Sequence, residues 1–204
     1  MSEQKVEIFR NRREEFWKAI CHVVESGESG AEWDGNPVRV QHGPFGITLD
    51  VHAEVAGYSS GVITRFRAAY INRDGFRFRV YRQDLLTTIG TIFGLEDVKT
   101  GDDEFDRAFI VQGNSTREVR LLLQDESIRR RLLDLDVHRV EVRDDEGWFG
   151  PEFPDEVDEL YMEVQGRVTT CAKLHGLYGL FADILNRLCH LGSAYEQDPH
   201  IRLD

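Results

Sequence analysis

Residues 103–133 carry the sequence DEFDRAFIVQGNSTREVRLLLQDESIRRRLL, which predicts a turn, a short strand, a tight break and two helical segments. Phe105 and Phe109 lie four residues apart, and we expect both rings to enter the core of the fold. Asp106 and Arg107 are predicted to anchor the turn that leads into the strand. An active-site role for this pair is the less favoured alternative, because local ion pairs are common in structural turns.

The residues that follow this turn have the start signals of two helices. Residues 108–112 are predicted to form the strand, and a Gly-Asn pair then breaks it. Ser115 is followed three residues later by Glu118, which matches a capping box at the start of a helix. Asp125 or Ser127 is expected to cap the second helix.

The order of these elements resembles a bacterial family of uncharacterised proteins. The similarity extends over residues 45–190. The family has no established activity, so the resemblance implies an architecture and carries over no catalytic residue. Members often carry membrane-spanning segments ahead of this domain. The family signature falls on Phe105, Asp106, Arg107, Phe109, Val111, Leu122 and Leu132.

Before this segment, residues 45–82 alternate between apolar and polar side chains, which predicts an antiparallel meander of three strands. A four-residue loop would set Asp50 opposite Arg67. A three-residue loop with glycine in the left-handed position would set Tyr70 opposite Phe78. In this register the apolar side chains share one face, and a slip by one residue would expose one strand's apolar set.

The polar face of this meander is rich in arginine. One interpretation is an anion site for a phosphate or a carboxylate ligand. The other, more frequent in sheets, is a solvated face with cross-strand ion pairs. A hydrolase or transferase at this face would need a histidine or carboxylate beyond simple ion pairs. The candidate ligand-binding residues are Arg65, Arg67, Arg77 and Arg79.

Two apolar features are candidate interfaces. Residues 1–26 have a helical apolar period that includes Trp17, and residues 144–159 place Trp148 and Phe149 in an acidic loop. Both features are typical of partner-binding or dimerisation surfaces, in which exposed aromatic residues are frequent. The alternative is that the N-terminal helix packs on its own domain and that the loop aromatics cover the edge of the core.

Residues 168–191 are predicted to form the longest apolar helix, with Thr169 or Thr170 as its cap and Gly192 at its end. Together with the strands, this helix indicates an α+β fold in which a mainly antiparallel sheet packs against helices. We predict one domain over 31–192 and a loose tail over 193–204. The helix also carries a stripe of small residues that permits close approach of another element, namely Ala172, Gly176 and Gly179.

Composition limits the classes of function. The formal net charge of −12 disfavours non-specific binding to nucleic acid or to an anionic membrane. No apolar run approaches the roughly 20 residues that a membrane span needs, so we expect no membrane insertion. Cys21, Cys171 and Cys189 are too scattered for a disulfide framework and are expected to be buried free thiols in a reducing cytoplasm.

No nucleophile and base pair, phosphate loop, dinucleotide fingerprint or metal-ligand spacing is visible, so we expect no cofactor and no metal. Cys171 and His175 lie four residues apart, but Cys189 is too far along the helix to complete a zinc site. The sequence therefore favours a non-catalytic interaction or scaffold domain, with a protein partner or a homo-oligomer. A small-ligand-binding domain and an enzyme acting on an anionic substrate remain alternatives.

Overall fold

A computed structural model describes residues 38–56, 59–83, 95–144 and 153–195, together with 197, 199–201 and 203. Within these residues the chain forms an eight-stranded antiparallel sheet and four helices, which is the α+β class predicted. The predictions for the N-terminal helix and Trp17, and for Trp148 and Phe149, lie outside the described residues.

The strands of the described part follow the chain in the order β1 Val38–His42, β2 Phe45–Ala56, β3 Ser59–Ile71, β4 Phe78–Arg82, β5 Glu96–Asp97, β6 Phe109–Gly113, β7 Val137–Arg143 and β8 Val157–Gln165. Its helices are α1 Asp103–Ala108, α2 Thr116–Leu123, α3 Glu126–Asp134 and α4 Cys171–Leu191. Across the sheet the strands lie in the order β1-β2-β3-β8-β7-β4-β6-β5.

The register of β2 against β3 differs from the prediction by two residues. Asp50 lies opposite Arg65, and Thr48 lies opposite Arg67. The shift arises because β2 continues to Ala56 and β3 begins only three residues later, so the connection is shorter than predicted. Because side chains alternate with a period of two, a shift of two residues keeps every side chain on its predicted face.

The prediction that the third strand of the meander pairs with the second is wrong. β3 pairs with β8, and β4 pairs with β6 and β7 instead of β3. Asn72, directly after β3, donates its backbone N–H to the carbonyl of Glu156, just before β8. This hydrogen bond holds the chain against the start of β8. Residues 72–77 then connect β3 to β4, which lies beyond β8 and β7 in the sheet. Gly75 has the left-handed φ of 64° that was expected, but it serves this longer connection and not a hairpin.

The segment that was predicted to be a turn is the short helix α1. Asp102 caps it by accepting a hydrogen bond from the Phe105 backbone N–H. Phe105 and Phe109 are fully buried, and their rings stack with centroids 4.9 Å apart. Asp106 accepts hydrogen bonds from the backbone and the hydroxyl of Thr100, at 3.0 and 2.9 Å. The anchoring role is therefore confirmed for Asp106, whereas Arg107 is exposed.

The helix boundaries follow the local signals in the sequence. Ser115 caps α2 by accepting from the Glu118 backbone N–H, and Asp125 caps α3. Thr170 caps α4, and Gly192 ends it with a left-handed φ of 83°. β6 begins one residue later than predicted, because the last residue of α1 occupies position 108.

One face of the sheet carries the core. Phe66 of β3 lies 6.0 Å from Phe181 of α4, measured between ring centroids. Leu122 of α2 and Leu132 of α3 are buried in the same apolar cluster. The tail predicted over 193–204 begins with buried residues, and the Tyr195 N–H donates to the Ile71 carbonyl. The helices thus occupy one side, and the polar side chains of the central strands point to the other.

Candidate functional site

Five neighbouring strands, β2, β3, β8, β7 and β4, turn their polar side chains to the face opposite the helices. This alternation follows from the two-residue period of a strand, since the intervening residues fill the core. We call this surface the charged face. Its members are Asp50, Arg65, Arg67, Arg79, Arg139, Glu141, Arg143, Glu159, Tyr161 and Glu163.

The strand register places these side chains in rows across the sheet, and directly opposed charges within a row have opposite signs. One row runs across four strands through Asp50, Arg65, Glu163 and Arg139. In the next row, Arg67 is opposite Tyr161, Tyr161 is opposite Glu141, and Glu141 is opposite Arg79. Opposite charges on adjacent strands attract each other, whereas like charges in the same positions would be destabilising.

The β2–β3 end of the face is closed by two arginines. Arg65 donates to both carboxylate oxygens of Asp50, at 2.6 and 2.8 Å. Arg67 donates from Nε to Glu159 at 2.6 Å and lies 3.8 Å from Asp50. Burial alone would lower the pKa of Arg65, but the hydrogen bond and the charge of Asp50 raise it above its ordinary value. Both guanidinium groups are therefore committed to carboxylates.

Glu141 is the centre of the β7–β4 end. Its oxygens lie 2.5 Å from Arg79 Nε, 2.5 Å from Arg143 Nε and 3.7 Å from Arg139 Nε. Burial would raise the pKa of Glu141, but attraction to Arg143, Arg139 and Arg79 outweighs it and lowers the pKa. Only 2% of Glu141 is exposed, so this carboxylate depends on its three arginines for the solvation that water would supply.

Tyr161 lies between the two ends, opposite Arg67 of β3 and Glu141 of β7. Its hydroxyl donates a hydrogen bond to Glu163, which also accepts from Arg139 at 2.8 Å. The Arg143 guanidinium lies 3.4 Å from the centroid of the Tyr161 ring, in a cation–π contact. Burial, with the charge of Glu163, raises the pKa of Tyr161, so the phenol stays protonated and keeps its donor role.

The predicted arginine site can now be placed residue by residue. Arg65, Arg67 and Arg79 all belong to the charged face, and each is paired with a carboxylate. Arg77 lies apart, with its side chain 39% exposed, 2.7 Å from Asp144 and 3.6 Å from Asp158. The structure therefore brings three of the four predicted residues onto one surface, in neutralising pairs.

The charged face fits neither sequence interpretation unchanged. The cross-strand ion pairs are present, but the face is only partly solvated, because Arg67 is 3% exposed whereas Arg65, Arg139 and Arg143 are half-buried. The acids that complete it were missed, namely Glu141, Glu159 and Glu163. Their signal was visible as polar alternation in 139–143 and 159–163. Linking them to the arginines required the strand order, which a single sequence does not provide.

Within the described part of the chain, no group of three or more His, Cys, Asp or Glu side chains is placed to hold a metal ion. Cys171 is disulfide-bonded, so the prediction of a free thiol is wrong at this position. Cys189 is half-buried against the core. The prediction for Cys21 lies outside the described residues.

No protein-family model, curated protein or solved structure matches the chain. The family resemblance of residues 45–190 therefore stays a prediction. Among the described helices, none is both long enough and apolar enough to cross a membrane.

Proposed function

We propose that this protein is a non-catalytic interaction domain that assembles with a second copy of itself or with a protein partner. The observation that carries the proposal is the pairing of Arg65, Arg67 and Arg79 with Asp50, Glu159 and Glu141. The surface that the sequence marked as a chemical site is thus occupied by its own counter-charges.

This pairing counts against both alternatives at the arginine face. A phosphate or carboxylate ligand would have to displace a buried protein carboxylate, which would then lose its partner. An enzyme would need an acid or base outside simple ion pairs. Within the charged face, the carboxylates beside Arg65, Arg67 and Arg79 are their ion-pair partners, so none of these carboxylates is an additional acid or base. His52 lies on the same face of β2, two residues from Asp50.

The proposed interface uses Trp17, Trp148 and Phe149, as the sequence predicts. The net charge of −12 supports a protein partner over nucleic acid. A cytoplasmic location is not part of this proposal, because the disulfide at Cys171 removes one of the free thiols from which that location was inferred.

Light scattering on the full chain over a range of concentrations tests this function. We expect a mass above the 23.5 kDa of one chain. Replacing Trp148 and Phe149 together by alanine should lower that mass. The control is Val62→Ser, which changes an exposed apolar residue outside the predicted interface. A protein that stays monomeric, with tryptophan fluorescence inaccessible to a neutral quencher, would contradict the proposal.

A further inference from the structure

Asp158 is a buried carboxylate that lies apart from the charged face. It is the second residue of β8, opposite Tyr70 of β3, on the face of the sheet that the helices cover. Asp158 is 5% exposed and Tyr70 is fully buried. Unlike Asp50, Glu141 and Glu159, Asp158 has no arginine nitrogen within 3 Å among the described residues.

The nearest partner of Asp158 is an amide. Asn72 Nδ2 donates to Asp158 Oδ2 at 2.5 Å and to the Phe76 carbonyl at 3.0 Å. Arg77 Nε lies 3.6 Å from the same carboxylate, but Arg77 Nη1 is engaged with Asp144 at 2.7 Å. Arg77, the cation that acts on Asp158, is thus shared between two acids.

Asn72 also has an acceptor that is not used. Its Oδ1 is buried and accepts no hydrogen bond from the described part of the chain. An asparagine amide can accept through its oxygen while donating through its nitrogen. A protonated carboxyl group is the complementary partner, because it accepts through one oxygen and donates through the other.

Apart from Arg77 and the exposed Arg73, the titratable groups around Asp158 are acids or neutral donors. Asp144 adds negative charge, and Asp74 is held by the Ser193 hydroxyl at 2.8 Å. Burial raises the pKa of Tyr70, with Asp158, Asp74 and Cys189 adding to the effect, so Tyr70 is neutral. The neighbouring pair Arg73 and Glu156 is exposed to solvent.

We propose that Asp158 and Asn72 form a proton-operated clasp between β8 and the chain that follows β3. With a proton on Asp158 Oδ1, the carboxyl group donates to Asn72 Oδ1 while Asn72 Nδ2 donates to Asp158 Oδ2. Loss of that proton leaves one hydrogen bond and an ionised carboxylate in a buried site. The clasp therefore holds residues 72–77 against β8 more tightly at acidic pH.

The pKa of Asp158 supports a clasp that holds more tightly at acidic pH. Burial raises it above the ordinary 3.8, and repulsion from Asp144 adds to the rise, while Asn72 and Arg77 oppose it. A raised folded pKa means that the stabilisation is fully present below 3.8 and is lost as the pH rises through the folded value. Glu141 acts in the opposite sense, because its lowered pKa stabilises the fold above the ordinary 4.5.

The test compares the wild type with Asp158→Asn, which mimics the protonated clasp at every pH. In urea at pH 7, we expect a smaller unfolding equilibrium constant for the variant, about tenfold for each pH unit by which the folded pKa exceeds 3.8. This difference should fall to about twofold at pH 3.8 and vanish below that pH. Asp155→Asn, at an exposed position, is the control and should change nothing.

A second measurement does not depend on the variant folding. The carboxyl carbon resonance of Asp158 in the wild type, followed by NMR against pH, should titrate above 3.8. The clasp would be overturned by titration at or below that value. A variant that is no more stable than the wild type at pH 7, or equally shifted at every pH, would also overturn it.

Discussion

Single residues explain the close approaches in this fold. A Cβ atom at Gly113 would lie inside contact distance of Val119 Cγ2, so β6 and α2 meet where no side chain intervenes. A Cβ at Gly176 would lie 3.0 Å from Leu135 Cδ2, which confirms the predicted close approach at Gly176 but not at Gly179, whose Cβ would be in ordinary contact, or at the exposed Ala172. At this scale the sequence was informative, because the caps at Ser115, Thr170 and Gly192 depend on neighbouring residues alone.

Gly113→Ala should destabilise the protein by about 1–3 kcal/mol, because the added methyl group forces β6 and α2 apart. The measurement is the free energy of unfolding in urea. Gly179→Ala in α4 is the matched control, since its Cβ would be 3.8 Å from Arg131 and therefore unstrained. That variant should be more stable by about 0.5–1 kcal/mol, owing to the higher helix propensity of alanine. Equal effects would rule out the tight contact.

At the level of elements, the local sequence pattern predicts the faces of the strands but not which strands pair. The alternation in 45–82 correctly gave the strand faces, and β7 has the bounds that its alternation indicates. The partnership of β3 with β8 joins residues about ninety positions apart, and no local signal specifies it. The link after β3 was predicted to be a hairpin because Gly75 suits a left-handed turn position. Gly75 is left-handed, yet the backbone of Asn72 binds the chain to Glu156, next to β8.

The pairing of β3 with β8 can be tested by a double-mutant cycle on Arg67 and Glu159. With Arg67→Met and Glu159→Gln, we expect a coupling energy of about 1–3 kcal/mol, because the two groups contact each other in a buried site. The exposed pair Arg130 and Glu126, 3.9 Å apart on α3, is the control and should couple by at most about 0.5 kcal/mol. A coupling for Arg67 as small as that control would place β8 elsewhere.

At the level of the whole molecule, the main feature is the charged face of the sheet and the strand order that it favours. The chain has an excess of acids, yet its central strands collect buried and half-buried arginines beside buried carboxylates. Burying these charges is costly unless each finds a partner, so the layer favours one strand order over arrangements that would place like charges together. The sequence located the arginines of β3 and β4. Their ion-pair partners on β7 and β8 could not be predicted, because only the folded sheet brings those strands beside β3 and β4.

The most direct test of this account is the free energy of unfolding of Glu141→Gln at neutral pH. Removing the charge that Arg79, Arg139 and Arg143 share should cost about 3–5 kcal/mol, because three arginines lose their common partner in a buried site. Glu126→Gln, at an exposed position on α3, should cost less than about 1 kcal/mol. If Glu141→Gln were as stable as that control, the charged face would not hold the sheet together.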